Sequence, residues 1–237
     1  MINFKIFPLA LAHEAEGVVI VIDVLRAFTT AAYAFNVGAL KIYPVKSIED
    51  AFSLKRRLPG SMIMGERDGI QPEGFDFGNS PASICRADLT GLTLIQRTSA
   101  GTQGIVGAIN AERLFAASFV VAEATAQHIW QLDPNVVSLI ITGESKGRDG
   151  DEDLACGEYI QSLITGDSPN PAEYIARVSR STVGKSLWAG KNQVISKLDY
   201  LMTVQVDIFP FSMPIRREDD LLIMEMGSGL NLENGMP

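Results

Sequence analysis

The sequence predicts an α/β protein with a largely parallel or mixed central sheet covered by helices on both faces. Three observations carry that prediction. Short β-branched runs alternate with helix-patterned stretches along the first two thirds of the chain. Two of those runs, GVVIVI (17–22) and VVSLII (136–141), are apolar at successive positions, as strands buried on both faces require. Polar or glycine-bearing turns follow the runs at the spacing of crossover connections.

Taken in order, GVVIVI precedes a helix pattern over 23–38, and ALKIYPV (39–45) precedes SIEDAFSLKRRL (47–58). SMIMG (61–65) runs into GERDGIQPEGFDFGNSP (65–81), whose glycines and prolines suit neither helix nor strand. LTLIQ (92–96) leads to a helix-like 97–111, and LFAASFVV (114–121) to AEATAQHIWQL (122–132). VVSLIIT (136–142) leads to an acidic loop and DLACGEYIQSLI (153–164). Beyond 166 the alternation stops. AEYIARVS (172–179) and KNQVISKLDYLM (191–202) read as helices, and VDIFPF (206–211) and DLLIMEM (220–226) as edge strands or a hairpin. The expectation is one domain over 1–226, with a smaller lobe starting near 167, and a frayed tail over 227–237.

The composition, 46% hydrophobic and 20% charged, suffices for a full globular core. A net charge of −8 without a basic run disfavours nucleic acid and anionic lipid, and no apolar run is long enough to span a bilayer. The N-terminal MINFKIFPLALAHEAEG has an apolar core of only about seven residues, interrupted by Pro8, which is weak for a leader. Two cysteines without CxxC spacing and two histidines cannot build a zinc site and point to a reducing, cytoplasmic setting. Self-association is left open.

Ligands of open α/β sheets bind beyond the carboxyl ends of the strands. Asp23 and Arg26 follow 17–22, and Glu66 and Arg67 follow 61–65. Arg97, Thr98, Ser99, Gly101 and Thr102 follow 92–96, and Thr142, Gly143 and RDGDED (148–153) follow 136–142. Asp23 reads either as a helix cap or as a magnesium ligand. Arg26 would sit in a first helical turn, where a cation is disfavoured unless it meets an anion. The small residues of 97–104 either cap a helix or let backbone approach a phosphate. Glu152 or Asp153 is either part of a solvated acidic loop or completes a magnesium site with Asp23, since magnesium needs few carboxylates beside waters and a phosphate. The 65–81 loop reads as a lid or specificity element. In it Arg67 pairs an anion, Asn79 and Ser80 offer hydrogen bonds, Phe75 and Phe77 act as anchors, and Glu66 or Asp76 is general base or acid.

Other motifs fail. In SRSTVGKS (179–186) Ser179 replaces the first glycine of a P-loop, and in DGDED (149–153) the calcium-loop glycine is replaced by Leu154. Cys156 offers a second reading, a cysteine hydrolase with Asp23 as base, but Ser162 stands where a cysteine phosphatase needs arginine. A non-catalytic sensor of anionic metabolites is the third.

Four stretches, VIDVLRAFTT (21–30), GERDGIQPEGFDFGNSP (65–81), TSAGT (98–102) and EDLACG (152–157), together resemble the 2-phosphosulfolactate phosphatase family. The resemblance spans roughly residues 2–225. It implies a three-layer α/β/α fold and Mg2+-dependent hydrolysis of a small anionic phospho-acid, 2-phospho-3-sulfolactate, to sulfolactate and phosphate, a step toward coenzyme M. On that basis Asp23 with Glu152 or Asp153 holds metal. Arg26, Ser99, Gly101 and Thr102 bind the phosphate, Arg67 and Asn79 grip the carboxylate or sulfonate, and Thr30, Ser80 and Thr98 are further substrate-binding residues. Glu66 or Asp76 handles the proton. The family usually reads T-x-N-G-T where this chain has Ala100 before Gly101, which removes one amide from the substrate's surroundings.

Overall fold

The computed structural model describes residues 2–144, 147–188 and 195–227. The strands are β1 (Asn3–Pro8), β2 (Gly17–Ile22), β3 (Lys41–Pro44), β4 (Met62–Gly65), β5 (Thr93–Arg97), β6 (Ala111–Ala117), β7 (Val136–Ile141), β8 (Met213–Glu218) and β9 (Leu221–Met224). The helices are α1 (Ala27–Asn36), α2 (Ile48–Arg57), α3 (Pro81–Ile84), α4 (Gly101–Gly107), α5 (Ala122–Gln131), α6 (Asp151–Ile164), α7 (Pro171–Arg180), α8 (Thr182–Trp188) and α9 (Lys197–Thr203).

All nine strands form one mixed sheet in the order β1-β7-β2-β6-β8-β9-β3-β5-β4. β1, β7, β2 and β6 are mutually parallel, and so are β3, β5 and β4. Between them lies the antiparallel pair β8–β9. The two parallel groups therefore run in opposite senses along the sheet. Strand twist of roughly 20–25° per neighbour accumulates to about 100–125° over the five steps from β2 to β5. Carboxyl ends of both groups nevertheless meet at a common rim, where Gln96 donates from Nε2 to the Ala27 carbonyl at 2.9 Å.

Both faces of the sheet are covered. Along β2, Val18, Ile20 and Ile22 pack with Ala126 and Ile129 of α5 and with Tyr159 and Ile160 of α6. The alternate residues Val19 and Val21 pack with Phe28 and Ala31 of α1 and Ile105 of α4. This period-two division of an unbroken apolar run is what a doubly covered strand produces. α1 is buried along almost its whole length and is accordingly apolar all round, apart from Thr29 and Thr30.

Three features differ from the sequence reading. Asn3–Pro8, which resembled a weak leader, is the edge strand β1 against β7. VDIFPF (206–211) forms no strand. DLLIMEM does contribute to a hairpin, but β8 and β9 fill the centre of the sheet instead of its edge. The pairing Leu114 with Ile215 joins residues far apart in sequence, a contact no local pattern encodes. Part of the expected helix 191–202 and nearly all of the expected tail lie outside the described residues. No helix among the described residues is long and apolar enough to cross a membrane.

Candidate active site

The ends of β2, β4, β5 and β7 surround a cavity of about 500 Å³, lined by Asp23, Arg26, Glu66, Asn79, Ser99, Glu152 and Asp153 among the expected residues. Asp23, Glu66 and Ser99 are placed just beyond strands, Asn79 at the end of the 65–81 loop, and Glu152 and Asp153 in the first turn of α6. β2 ends at Ile22, and Asp23 follows, its Oδ1 accepting from the Ala27 N–H that opens α1 at 3.0 Å. The capping role and the cavity-facing role of Asp23 are thus held together. The Leu25–Arg26 peptide is cis, and Arg26 is the residue preceding α1.

The cavity contains more carboxylates than cations. Asp23, Glu66, Asp68, Glu152 and Asp153 line it against Arg26 and Arg148. Burial raises the proton affinity of Asp23, with the charge of Glu66 adding to it, while the Ala27 N–H and Arg148 oppose. Burial also raises Glu152. Asp153 is pushed well above the carboxylate range by burial and by the neighbouring Asp23 and Glu152.

The carboxylates divide by what already binds them. Asp153 accepts from the Val24 and Gly143 N–H groups, both at 2.7 Å, and from the Thr142 hydroxyl at 3.2 Å. It clamps the ends of β2 and β7 to the start of α6. Glu66 accepts from the Ser99 N–H and the Gly69 N–H at 2.5 Å each, and from the Ser99 hydroxyl at 3.1 Å. It clamps the long loop to the segment after β5. Glu152 is different: its Oε2 is buried without a hydrogen-bond partner among the described residues. Asn79 Oδ1 is likewise buried and unpartnered at the cavity.

Two glycines make the approach geometry achievable. At Gly65 the backbone has φ 132°, and a Cβ would lie 1.9 Å from the Arg97 carbonyl oxygen. At Gly101 a Cβ would lie 2.8 Å from the Ala27 Cβ and 2.9 Å from Asp23 Oδ2. Only glycine lets the segment after β5 reach the Asp23 carboxylate.

Several expected site residues stand elsewhere. Asp76 does not line the cavity: its Oδ2 accepts from the Ile63 N–H at 2.7 Å and pairs with Lys55 at 2.6 Å, fixing the loop to β4 and α2. Arg67 is exposed in a turn whose backbone pairs with Ile70, and it too lies outside the cavity lining. Thr98 and Thr102 are buried and cap each other, Thr102 N–H to Thr98 Oγ1 at 3.0 Å and Thr98 N–H to Thr102 Oγ1 at 2.8 Å. Thr30 is buried inside α1, its hydroxyl unpartnered. Ser80 caps α3 and donates to Asp199 at 2.6 Å. Asp153 holds backbone through both oxygens, whereas Glu152, among the described residues, keeps one buried oxygen without a partner in the cavity that Asp23 also lines. Among the described residues, no group of three or more His, Cys, Asp or Glu side chains is arranged to hold a metal.

The 65–81 loop is pinned more firmly than a free lid. Phe75 is buried against Phe52, ring centroids 5.9 Å apart, and Phe77 packs on the core. Gly65 and Glu66 hydrogen-bond to Phe77 and Arg97 through their N–H groups. Its tip presents Asp68 and Gly69 to the cavity. Cys156 is fully buried and outside the cavity lining, and burial pushes its thiol well up, which removes the thiolate a cysteine hydrolase needs.

Sequence reasoning put Arg148 on the rim within RDGDED without giving it a role, and it missed the apolar wall Leu25, Val183 and Ile195, and Asp199, which pairs with Arg26 at 2.9 Å. The Ser196–Asp199 capping box is legible as a helix start, but nothing local ties it to a residue near the other end of the chain.

The family model for 2-phosphosulpholactate phosphatase matches residues 7–201. A probable 2-phosphosulfolactate phosphatase of Bacillus subtilis (strain 168) is 35% identical over 209 residues, covering 87% of this chain and 90% of its own length. One from Carboxydothermus hydrogenoformans is 40% identical, covering 69% and 67% respectively. One from Thermotoga maritima is 34% identical, covering 68% and 69%. With the family model spanning most of the chain and a relative of this identity aligned nearly end to end, the chain belongs to the 2-phosphosulfolactate phosphatase family.

Proposed function

We propose that the protein is a magnesium-dependent phosphatase acting on a small 2-phospho acid, with 2-phospho-3-sulfolactate as the substrate to be expected from its relatives. The observation that carries the reading is the meeting, in one cavity, of the Arg26 guanidinium with Asp23 and with a Glu152 oxygen that has no partner among the described residues. A buried carboxylate oxygen without a donor is costly unless a proton or cation completes it. Hard oxygen donors in a partly polar cavity suit magnesium, which keeps waters and takes a substrate phosphate as a ligand.

Asp23 and Glu152 would hold the ion, and Asp153 holds the backbone that aims them. When bound, magnesium supplies charge neutralisation at the phosphate and a more acidic water. Arg26 meets the non-bridging oxygens whose charge grows as the ester bond breaks. Asn79 offers its amide to the acid end. Glu66 keeps the Ser99–Ala100 wall in register, since both its oxygens are already occupied. Leu25, Val183 and Ile195 limit water on the remaining wall. The free cysteines Cys85 and Cys156 fit a reducing, cytoplasmic setting.

The test is release of inorganic phosphate from a panel of phospho-acids, with and without magnesium. The expected result is metal-dependent turnover of a 2-phospho acid, abolished in Asp23→Asn with the fold retained. Binding of these esters without turnover in magnesium would favour a non-catalytic sensor instead.

A further inference from the structure

Arg26 is 5% exposed yet lines the cavity. Among the described residues its guanidinium has one hydrogen-bonded acceptor, Asp199 Oδ2 at 2.9 Å from Nη1. Asp199 is 2% exposed and fully engaged. Its Oδ1 accepts from the Ser80 hydroxyl at 2.6 Å and the Ala82 N–H at 3.1 Å, and its Oδ2 also accepts from the Ser196 N–H at 3.2 Å. Three separate segments therefore fix this carboxylate: the start of α9, the end of the 65–81 loop and the Arg26 turn. A buried ion pair is a poor source of stability, because desolvation cancels much of the attraction. It is a good way to aim a guanidinium, whose planar fork keeps further N–H donors once one is held.

We propose that Asp199 is a positioning residue: it holds Arg26 toward the cavity so that the remaining guanidinium donors meet an anionic phosphate, and through Ser80 and Ala82 it ties the loop 65–81 to that anion site. The proposal deepens the phosphatase reading and rests on it for the identity of the anion. Sequence separation hides the link, since Arg26 and Asp199 lie 173 residues apart.

A double-mutant cycle on the affinity for inorganic phosphate, measured calorimetrically with magnesium present, tests it. Asp199→Asn keeps the shape but sets an amide where Oδ2 faced Arg26. It should weaken phosphate binding about tenfold and raise KM more than it lowers kcat, the size of effect given by losing one aimed charge-assisted contact. Arg26→Gln should lose as much or more, and the double variant should bind no more weakly than Arg26→Gln alone. Additive losses in the double variant, or phosphate binding by Asp199→Asn equal to wild type, would overturn the proposal. If Asp199→Asn does not fold, Asp199→Glu, with its carboxylate displaced by one methylene, is scored by the same criteria. A wild type that binds phosphate but hydrolyses no phospho-acid overturns the phosphatase reading, and the cycle is still decided on binding. A wild type that binds no phosphate overturns both.

Discussion

Glu152 and Asp153 are neighbours in the first turn of α6, both almost completely buried and both lining the same cavity, yet their surroundings are opposite. Asp153 is saturated by two backbone N–H groups and a hydroxyl, whereas Glu152 keeps an oxygen with no partner among the described residues. Glu66, on the facing wall, repeats the arrangement of Asp153 by accepting from Ser99 and Gly69. A carboxylate at a strand end can therefore either build the site or act in it, and the backbone donors around it decide which. The same division separates Asp76, tied to Ile63 and Lys55, from Asp23, which reaches the cavity.

The largest stability effect should come from Asp153→Ala. It strands the Val24 and Gly143 N–H groups, at roughly 1–3 kcal/mol each. A loss of about 2–6 kcal/mol and a thermal midpoint lower by roughly 5–20 °C should follow, measured by calorimetry. Glu152→Gln should do the reverse: turnover falls on the order of 100-fold, while the midpoint changes little because the amide keeps the side chain's shape and an acceptor oxygen. Equal destabilisation by the two variants would erase the distinction between them.

The pH dependence sharpens the contrast further. Burial alone would raise Asp199, but hydrogen bonds from Ser80 and Ala82 together with the Arg26 charge outweigh it and hold the carboxyl below its ordinary value. A depressed carboxyl contributes stability that is complete above the unfolded value near ~4 and is lost as pH falls through the lower folded value. Stability should therefore drop in that acid window, and Asp199→Asn should flatten the drop in denaturant titrations. An unchanged acid slope in the variant would contradict the assignment.

Much of this was legible beforehand. The unbroken apolarity of 17–22 and 136–141 announces strands covered on both faces, and the rule that ligands gather at carboxyl ends selects Asp23, Glu66, Ser99 and Glu152. What was not legible depends on long-range pairing. The β8–β9 hairpin enters the sheet centre through β6 and β3, and Asp199 meets Arg26 across most of the chain. Asp76 and Arg67 were misplaced for a more local reason. In a loop with charges of both signs, which side chain turns inward is set by backbone hydrogen bonds that the sequence does not display.

The smallest expected effect concerns specificity. Ala100 lines the cavity with a methyl group where a longer polar side chain could offer a hydrogen bond. Ala100→Asn should raise kcat/KM for a sulfonated 2-phospho acid by about 3–10-fold relative to an unsulfonated one, the gain of one hydrogen bond to a charged group. An equal change for both substrates would separate Ala100 from recognition of the acid end.

Glu152, and not its neighbour, is the residue proposed to complete a cation site with Asp23. The most direct measurement is a magnesium titration of phosphate release by wild type, Glu152→Gln and a folded Asp153 variant such as Asp153→Asn. Saturable magnesium activation is expected in the wild type, with a magnesium requirement raised at least tenfold in Glu152→Gln and a nearly wild-type requirement in Asp153→Asn. Turnover that survives complete chelation, or a magnesium requirement identical in wild type and Glu152→Gln, would contradict that role for Glu152.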